Sequence, residues 1–371
     1  MTDRTAVFDG HNDVLLRLYQ KGGAEPEEAF IAGNGAGHLD LPRAAAGGLA
    51  AGLFAIFVPS PDRGVDVEAL MRQPRYDVPE PDGVGCRAAL ATTLAMAAIL
   101  FRIEKRSNGR VRVCRTGGEI RRAIGTDSLA AVLHIEGAEA IDRDFCNLEV
   151  LYQAGLRSLG PVWSRPNRFG HGVPFRFPST PDTGPGLTEL GLELVRQCNR
   201  LGIMVDLSHM TEKGFWDVAK HTDAPLVASH SNAHAITPHA RNLSDMQLAV
   251  VAESGGLVGV NYATAFLRPD GRMDADTPLD VVVRHIDHLV ERLGIDGVGL
   301  GSDFDGATIP HEIGDVAGLP RLVAALSSHG YNAVEIRKIC FENWLSVLER
   351  TWKSDEVQPA GHDSRRRLRE I

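Results

Sequence analysis

Eight short apolar runs punctuate the chain: TAVFDGH (5–11), AGLFAIFV (51–58), LAAVLHIEG (129–137), RSLGPVW (157–163), GIMVDLSH (202–209), PLVASH (225–230), GLVGVNY (256–262) and GVGLGSDFDG (297–306). Between most of them lie stretches such as LTELGLELVRQCNRL (187–201) and PLDVVVRHIDHLVERL (278–293), whose apolar residues recur at intervals of three and four. That spacing predicts amphipathic helices, and the short apolar runs predict strands buried on both faces. Eight strands alternating with helices predict a parallel sheet closed into a (β/α)8 TIM barrel, an α/β fold. A doubly wound sheet is the alternative, but no G-x-G-x-x-G follows the first strand and no P-loop occurs.

Two stretches interrupt this rhythm. Residues 60–90 are rich in Pro, Gly and charge, and residues 164–187 add Phe and Arg to the same mixture. Long loops of this kind in a compact domain are expected to serve as lids or interaction surfaces. No linker divides the 371 residues, so a single barrel domain spanning 1–371 is expected, with 355–371 as a polar, mobile tail.

Composition narrows the classes. With 43% hydrophobic and 23% charged residues the chain reads as globular, and a formal net charge of -9 argues against a nucleic-acid partner. The basic run RRRLRE (365–370) reads as part of the solvated tail. No signal peptide is visible behind the polar start MTDRT, and LAMAAILF (94–101) falls short of the roughly 18 residues needed to cross a bilayer, so no membrane partner is expected. Five scattered cysteines without C-x-x-C spacing support neither a disulfide framework nor a structural zinc knot, which fits a reducing cytoplasm.

A barrel places its chemistry at the C-terminal ends of its strands. There the sequence sets His11 and Asp13 after the first strand, Glu136 after the third, His209 after the fifth, His230 after the sixth, and Asp303 and Asp305 after the eighth. Taken alone, His11 is as easily a satisfied core histidine, and Asp13 a helix cap. Five strand ends carrying such residues together point instead to a metal site. Imidazoles and carboxylates are borderline ligands suited to zinc, one carboxylate is able to bridge two ions, and the absence of cysteine favours a catalytic site over a structural one. Hydrolysis is the chemistry such a site favours.

The ordered run DGHND (9–13), HIEGAEAID (134–142), VDLSHM (205–210), SHSNAHAITPHARNLSD (229–245) and GLGSDFDG (299–306) resembles the renal or membrane dipeptidase family, the M19 peptidases of the amidohydrolase superfamily. The likeness extends from Asp9 to about ENWLSVL (342–348). It implies a metal-dependent dipeptidase on a (β/α)8 barrel, with two zinc ions per chain bridged by Glu136 and a water or hydroxide. His11, Asp13 and Glu136 would hold one ion, and Glu136, His209 and His230 the other. Arg241 matches the arginine that receives the carboxylate of a dipeptide substrate, and Asp303 the acid/base carboxylate. Asp9 and Asp206 are expected to orient ligand histidines; Asp305 is expected either to support the site or to serve the fold, strand parity alone not separating it from Asp303. The resemblance also points to a homodimer. A related amidohydrolase acting on N-acyl amino acids or lactam-like amides is the alternative enzyme, and a metal-retaining binding or scaffold protein the alternative class.

One departure stands out. The family commonly carries a histidine at the end of the fourth strand, where it contacts the scissile carbonyl. Here SLGPVWSRPN (158–167) places Trp163 at that point. His171 is the nearest imidazole in the following loop and the expected substitute, and Trp163 is expected to line the substrate cleft.

Overall fold

The computed structural model describes residues 5–353 apart from 22 and 63; the expected tail at 355–371 lies outside the described residues. All eight apolar runs form strands. They are β1 (Val7–Asn12), β2 (Leu49–Phe57), β3 (Leu129–Glu136), β4 (Leu156–Gly160), β5 (Met204–Val205), β6 (Val227–Ser231), β7 (Leu257–Asn261) and β8 (Val298–Gly301). Their order in the sheet is β5-β4-β3-β2-β1-β8-β7-β6, and every pairing is parallel. A bridge between Asp206 and Val227 draws β5 to β6, so the barrel is nearly closed. A further short strand, Val111–Val113, which the apolar pattern did not reveal, pairs with the first half of β3 before β4 takes up the second half.

The alternation of side chains separates two apolar layers. Ala130 and Val132 of β3 pack inside the barrel with Phe8, Ala51, Leu53, Met204, Val227 and Leu257. Ala131, Leu133 and Ile135 face the surrounding helices. Trp344, on the helix Asn343–Thr351, closes the interior from below. Its indole is fully buried, stacks on Phe8 with ring centroids 5.5 Å apart, and donates Nε1–H to the carbonyl of Leu300 at 2.9 Å. Glycines make the room: a Cβ on Gly10 would lie 2.2 Å from the Trp344 ring, and one on Gly299 2.5 Å from its Nε1.

Two expectations need correction. LAMAAILF is the middle of a 21-residue helix, Cys86–Arg106, which by length and apolar composition is long enough to cross a membrane. In this fold one face of it, including Met96, Ala97, Leu100 and Ile103, packs into the main core. The interrupting stretches are also more ordered than their composition implies. The first contains a helix (Val67–Met71) and a strand (Tyr76–Asp77) and runs into the start of the long helix; that strand pairs antiparallel with Arg176–Phe177 of the second. Met71, Tyr76, Val78, Phe177 and Phe266 form a small apolar cluster there, which gives the two stretches a shared core of their own.

The packing around the buried indole generates a stability prediction. Trp344→Ala should lower unfolding free energy by about 3–5 kcal/mol. Gly299→Ala should cost about 1–3 kcal/mol by overpacking, both read from urea midpoints.

Candidate active site

Each strand delivers its functional side chain by a local device. On β3, His134 and Glu136 continue the inward face of Ala130 and Val132, so a polar layer tops an apolar one. β1 works differently, because its pairing with β2 shifts register between Asp9 and Asn12. That irregularity lets His11 join the mouth although Phe8 and Gly10 take the inner positions below it. His209, Asp303 and Asp305 adopt left-handed backbone with φ of 68°, 60° and 68°. Such conformations cost on the order of 1–3 kcal/mol each and persist where the surroundings enforce them. Here Val173 N–H donates to the carbonyl of His209, and Asp303 N–H to that of His11.

The side chains converge on Glu136. Its Oε2 lies 3.7 Å from His11 Nε2, and its Oε1 lies 2.9 Å from His209 Nε2 and 3.5 Å from His230 Nε2. Asp13 Oδ2 is 3.4 Å from His11 Nε2. The structure thus brings together all five candidate ligands, and Asp303 clusters with His11 and Asp13.

Hydrogen bonds fix the imidazoles from behind. Ser229 Oγ donates to Asp206 Oδ2, so at 2.8 Å from His230 Nδ1 it accepts that nitrogen's proton, which leaves a lone pair on Nε2. Ser164 Oγ lies 2.7 Å from His209 Nδ1. The two Nε2 atoms then face each other at 3.0 Å. Burial, reinforced for His209 by the charge of Arg241 and for His230 by His11 and Arg241, holds both rings well below the usual imidazole pKa and therefore neutral.

The carboxylates show the opposite strain. Burial raises Glu136 well above its ordinary value and raises Asp303 as well. Burial also works against charge on His11, but Glu136 and Asp13 outweigh it and push His11 up to about 10. Both ring nitrogens of His11 and Oδ1 of Asp13 are buried without a hydrogen-bond partner among the described residues. Divalent cations fit this donor set: they would neutralise the crowded carboxylates and take up the orphaned atoms and the lone pair on His230 Nε2.

Above the cluster opens a cavity of about 580 Å³, lined on one side by Phe57, Trp163, Phe175 and Phe266 and reaching Asp13, Glu136, His209 and Asp303. Trp163 lies in this cleft as expected, its ring 4.8 Å from that of Phe57 and 5.8 Å from that of His209. Arg241 is buried, and burial lowers its pKa to about 10, so it stays a cation at neutral pH. Its Nη2 donates to the carbonyl of His230, its guanidinium lies 5.3 Å from the Phe266 ring, and its Nε has no partner among the described residues.

Two expected roles change. His171 does not reach the cleft; it lines a separate hollow with Asp77, Glu80, Arg176 and Thr211, because the chain after Trp163 turns away and Val173 is tied to His209. Asp9 touches no imidazole among the described residues. It accepts from Ser302 N and Oγ at 2.7 and 2.8 Å and from the backbone N–H of His11, so it binds β1 to the segment after β8. Asp206 does act on His230, through Ser229, and Asp305 is a brace, gripped by Arg17 Nε and His38 N–H. His134, Ser164, Ser229 and Asn261 were not singled out from sequence. Ser229 could have been, since it directly precedes His230, as could Asn261, the polar residue next to the end of the seventh apolar run.

Comparisons with known proteins bear on the fold and the family. A crystal structure of a metallopeptidase from Rhodobacter sphaeroides, liganded with a phosphinate mimic of the dipeptide L-Ala-D-Ala, is 55% identical and superposes with a TM-score of 0.93 over 94% of this chain and 100% of that one. The crystal structure of dipeptidase AC, a metallopeptidase of family M19, is also 55% identical, with a TM-score of 0.92 over 94% of this chain and 99% of its own. An uncharacterized protein in the pqqA 5′ region of Klebsiella pneumoniae is 52% identical over 256 residues, 69% of this chain and 94% of that protein. The model of the membrane dipeptidase family matches residues 1–360, and the chain belongs to that family, peptidase family M19, as a metal-dependent dipeptidase on a (β/α)8 barrel.

Proposed function

We propose that the enzyme hydrolyses dipeptides with a free C-terminal carboxylate at a pair of zinc ions, one held by His11, Asp13 and Glu136 and the other by Glu136, His209 and His230. One observation carries the reading: the two oxygens of Glu136 face two separate donor groups, Oε2 towards His11 and Oε1 towards His209 and His230. That is the arrangement a bridging carboxylate requires. Bound zinc supplies Lewis acidity towards the scissile carbonyl and an acidified water.

The remaining work falls to side chains. Asp303 takes the proton of the attacking water and returns it to the leaving amine, a role its burial and raised pKa favour. Arg241 receives the substrate carboxylate. It is a buried cation for which no ion pair with a carboxylate is found among the described residues, and its unpartnered Nε supports an anionic guest. The aromatic wall of Phe57, Trp163, Phe175 and Phe266 suits an apolar or aromatic substrate side chain, buried by contact with those rings. Five free cysteines, with Cys114, Cys198 and Cys340 buried, support operation in a reducing compartment, the cytoplasm.

Three measurements test this reading. Elemental analysis of the purified enzyme should find about two zinc ions per chain, the number a bridged pair needs, and chelation should abolish turnover. Full activity with no bound metal would refute it. Asp303→Asn should keep the metal and lose about 100-fold to 10,000-fold in kcat; a loss under about threefold would move the acid/base role elsewhere. Arg241→Ala should weaken dipeptide turnover by on the order of 2–5 kcal/mol in kcat/KM, with dipeptide amides poor substrates of the wild type. Equal rates for acids and amides would remove Arg241 as the carboxylate clamp.

A further inference from the structure

We propose that Asn261 is a positioning residue for Asp303, fixing which carboxylate oxygen is free to carry the proton. This rests on the reading of Asp303 as the acid/base group. Asn261 ends β7 fully buried, and its Nδ2 donates to Asp303 Oδ2 at 2.9 Å. Its orientation is set independently of Asp303. The backbone N–H of Ala263 donates to Asn261 Oδ1 at 2.6 Å, so the oxygen must face Ala263 and the NH2 group must face Asp303. Asn232 clamps the backbone from both sides, its Oδ1 accepting from Asn261 N–H and its Nδ2 donating to the Asn261 carbonyl. The amide therefore has no alternative pose in which to release Asp303.

The consequence lies at the other oxygen. Asp303 Oδ1 faces Gly306 and Asp13: a Cβ built on Gly306 would lie 2.7 Å from Asp303 Oδ1 and 2.1 Å from Asp13 Oδ2. Both carboxylates thus open onto the space that Gly306 leaves free. With Oδ2 committed to a donor that cannot accept a proton, Oδ1 is left to take the proton from water and pass it to the leaving amine. The Asn261 amide also approaches the His230 carbonyl at 3.5 Å, the same oxygen that receives Arg241 Nη2. The Asn261 amide therefore touches both the acid/base carboxylate and the carbonyl of a candidate metal ligand, and that carbonyl in turn receives the candidate carboxylate clamp.

The test is a double-mutant cycle on the metal-loaded enzyme. Asn261→Ala should lower kcat by about 10-fold to 100-fold, the scale of a misplaced catalytic group, with KM for dipeptides changed less than about threefold and zinc content unchanged. Asn261→Asp, isosteric but without the donor, should lose at least as much and keeps the cycle usable if the alanine variant does not fold. In the Asp303→Asn background either substitution should cost under about threefold, because the interaction it removes no longer serves catalysis. An equal loss in both backgrounds would mean a structural role and overturn the proposal. So would an unchanged kcat in Asn261→Ala and Asn261→Asp while Asp303→Asn is strongly impaired; that pattern leaves the acid/base reading standing. An Asp303→Asn enzyme of near wild-type rate would remove the acid/base reading itself, and this proposal with it.

Discussion

Three carboxylates buried together at the barrel mouth, those of Asp13, Glu136 and Asp303, set the condition that the rest of the site has to meet. In a desolvated setting like charges at such distances cannot all remain ionised without nearby positive charge. Protein side chains meet this demand only in part: His11 is drawn towards the protonated state, and Arg241 holds its cation with no carboxylate paired to it among the described residues. The neutral imidazoles of His209 and His230 bring their Nε2 atoms to within 3.0 Å of each other in the same space, which is consistent with a metal-dependent enzyme.

The scaffold beneath that cluster is arranged to keep it in place. Trp344 and its glycine cradle form an apolar floor, and above them Ser158 and His134, with Asp206 and Ser229, make a polar layer. Ser229 carries the constraint upward to His230, while Asp9 holds the segments of His11 and Ser302 together. Left-handed backbone at His209, Asp303 and Asp305 turns the chain sharply at the strand ends, at a cost the surrounding hydrogen bonds sustain. The paired interrupting stretches add the upper wall. Rigidity below and an apolar enclosure above are what preorganised chemistry requires.

Much of the site was legible because parallel strands confine unusual polar residues to their C-terminal ends. Glu136, His209, His230 and Asp303 each follow an apolar run, and that placement has no better explanation in a barrel. Asn261 also stands next to the end of such a run but escaped notice, since an amide carries no charge to mark it. His171 misled for the converse reason: nearness along the chain to Trp163 said nothing about the direction in which the loop leaves the barrel. Asp9 looked like a partner for an imidazole, yet its oxygens go to backbone N–H groups and to the side chains of Ser302 and Asn12, partners of kinds that every sequence contains and none advertises.

Periodicity alone determined the eight strands, their parallel pairing and the end of the barrel at which chemistry collects, because burial on both faces leaves a strand no choice but an apolar run. The types of candidate ligand were equally a property of the sequence. Only the tertiary structure decided how they meet. The register shift in β1 turns His11 into the mouth, the hydroxyls of Ser164 and Ser229 settle behind two imidazoles, and Asn261 selects one oxygen of Asp303. These depend on contacts between residues far apart in the chain, at distances of a few ångströms and with a direction for each hydrogen bond, and a one-dimensional pattern carries neither.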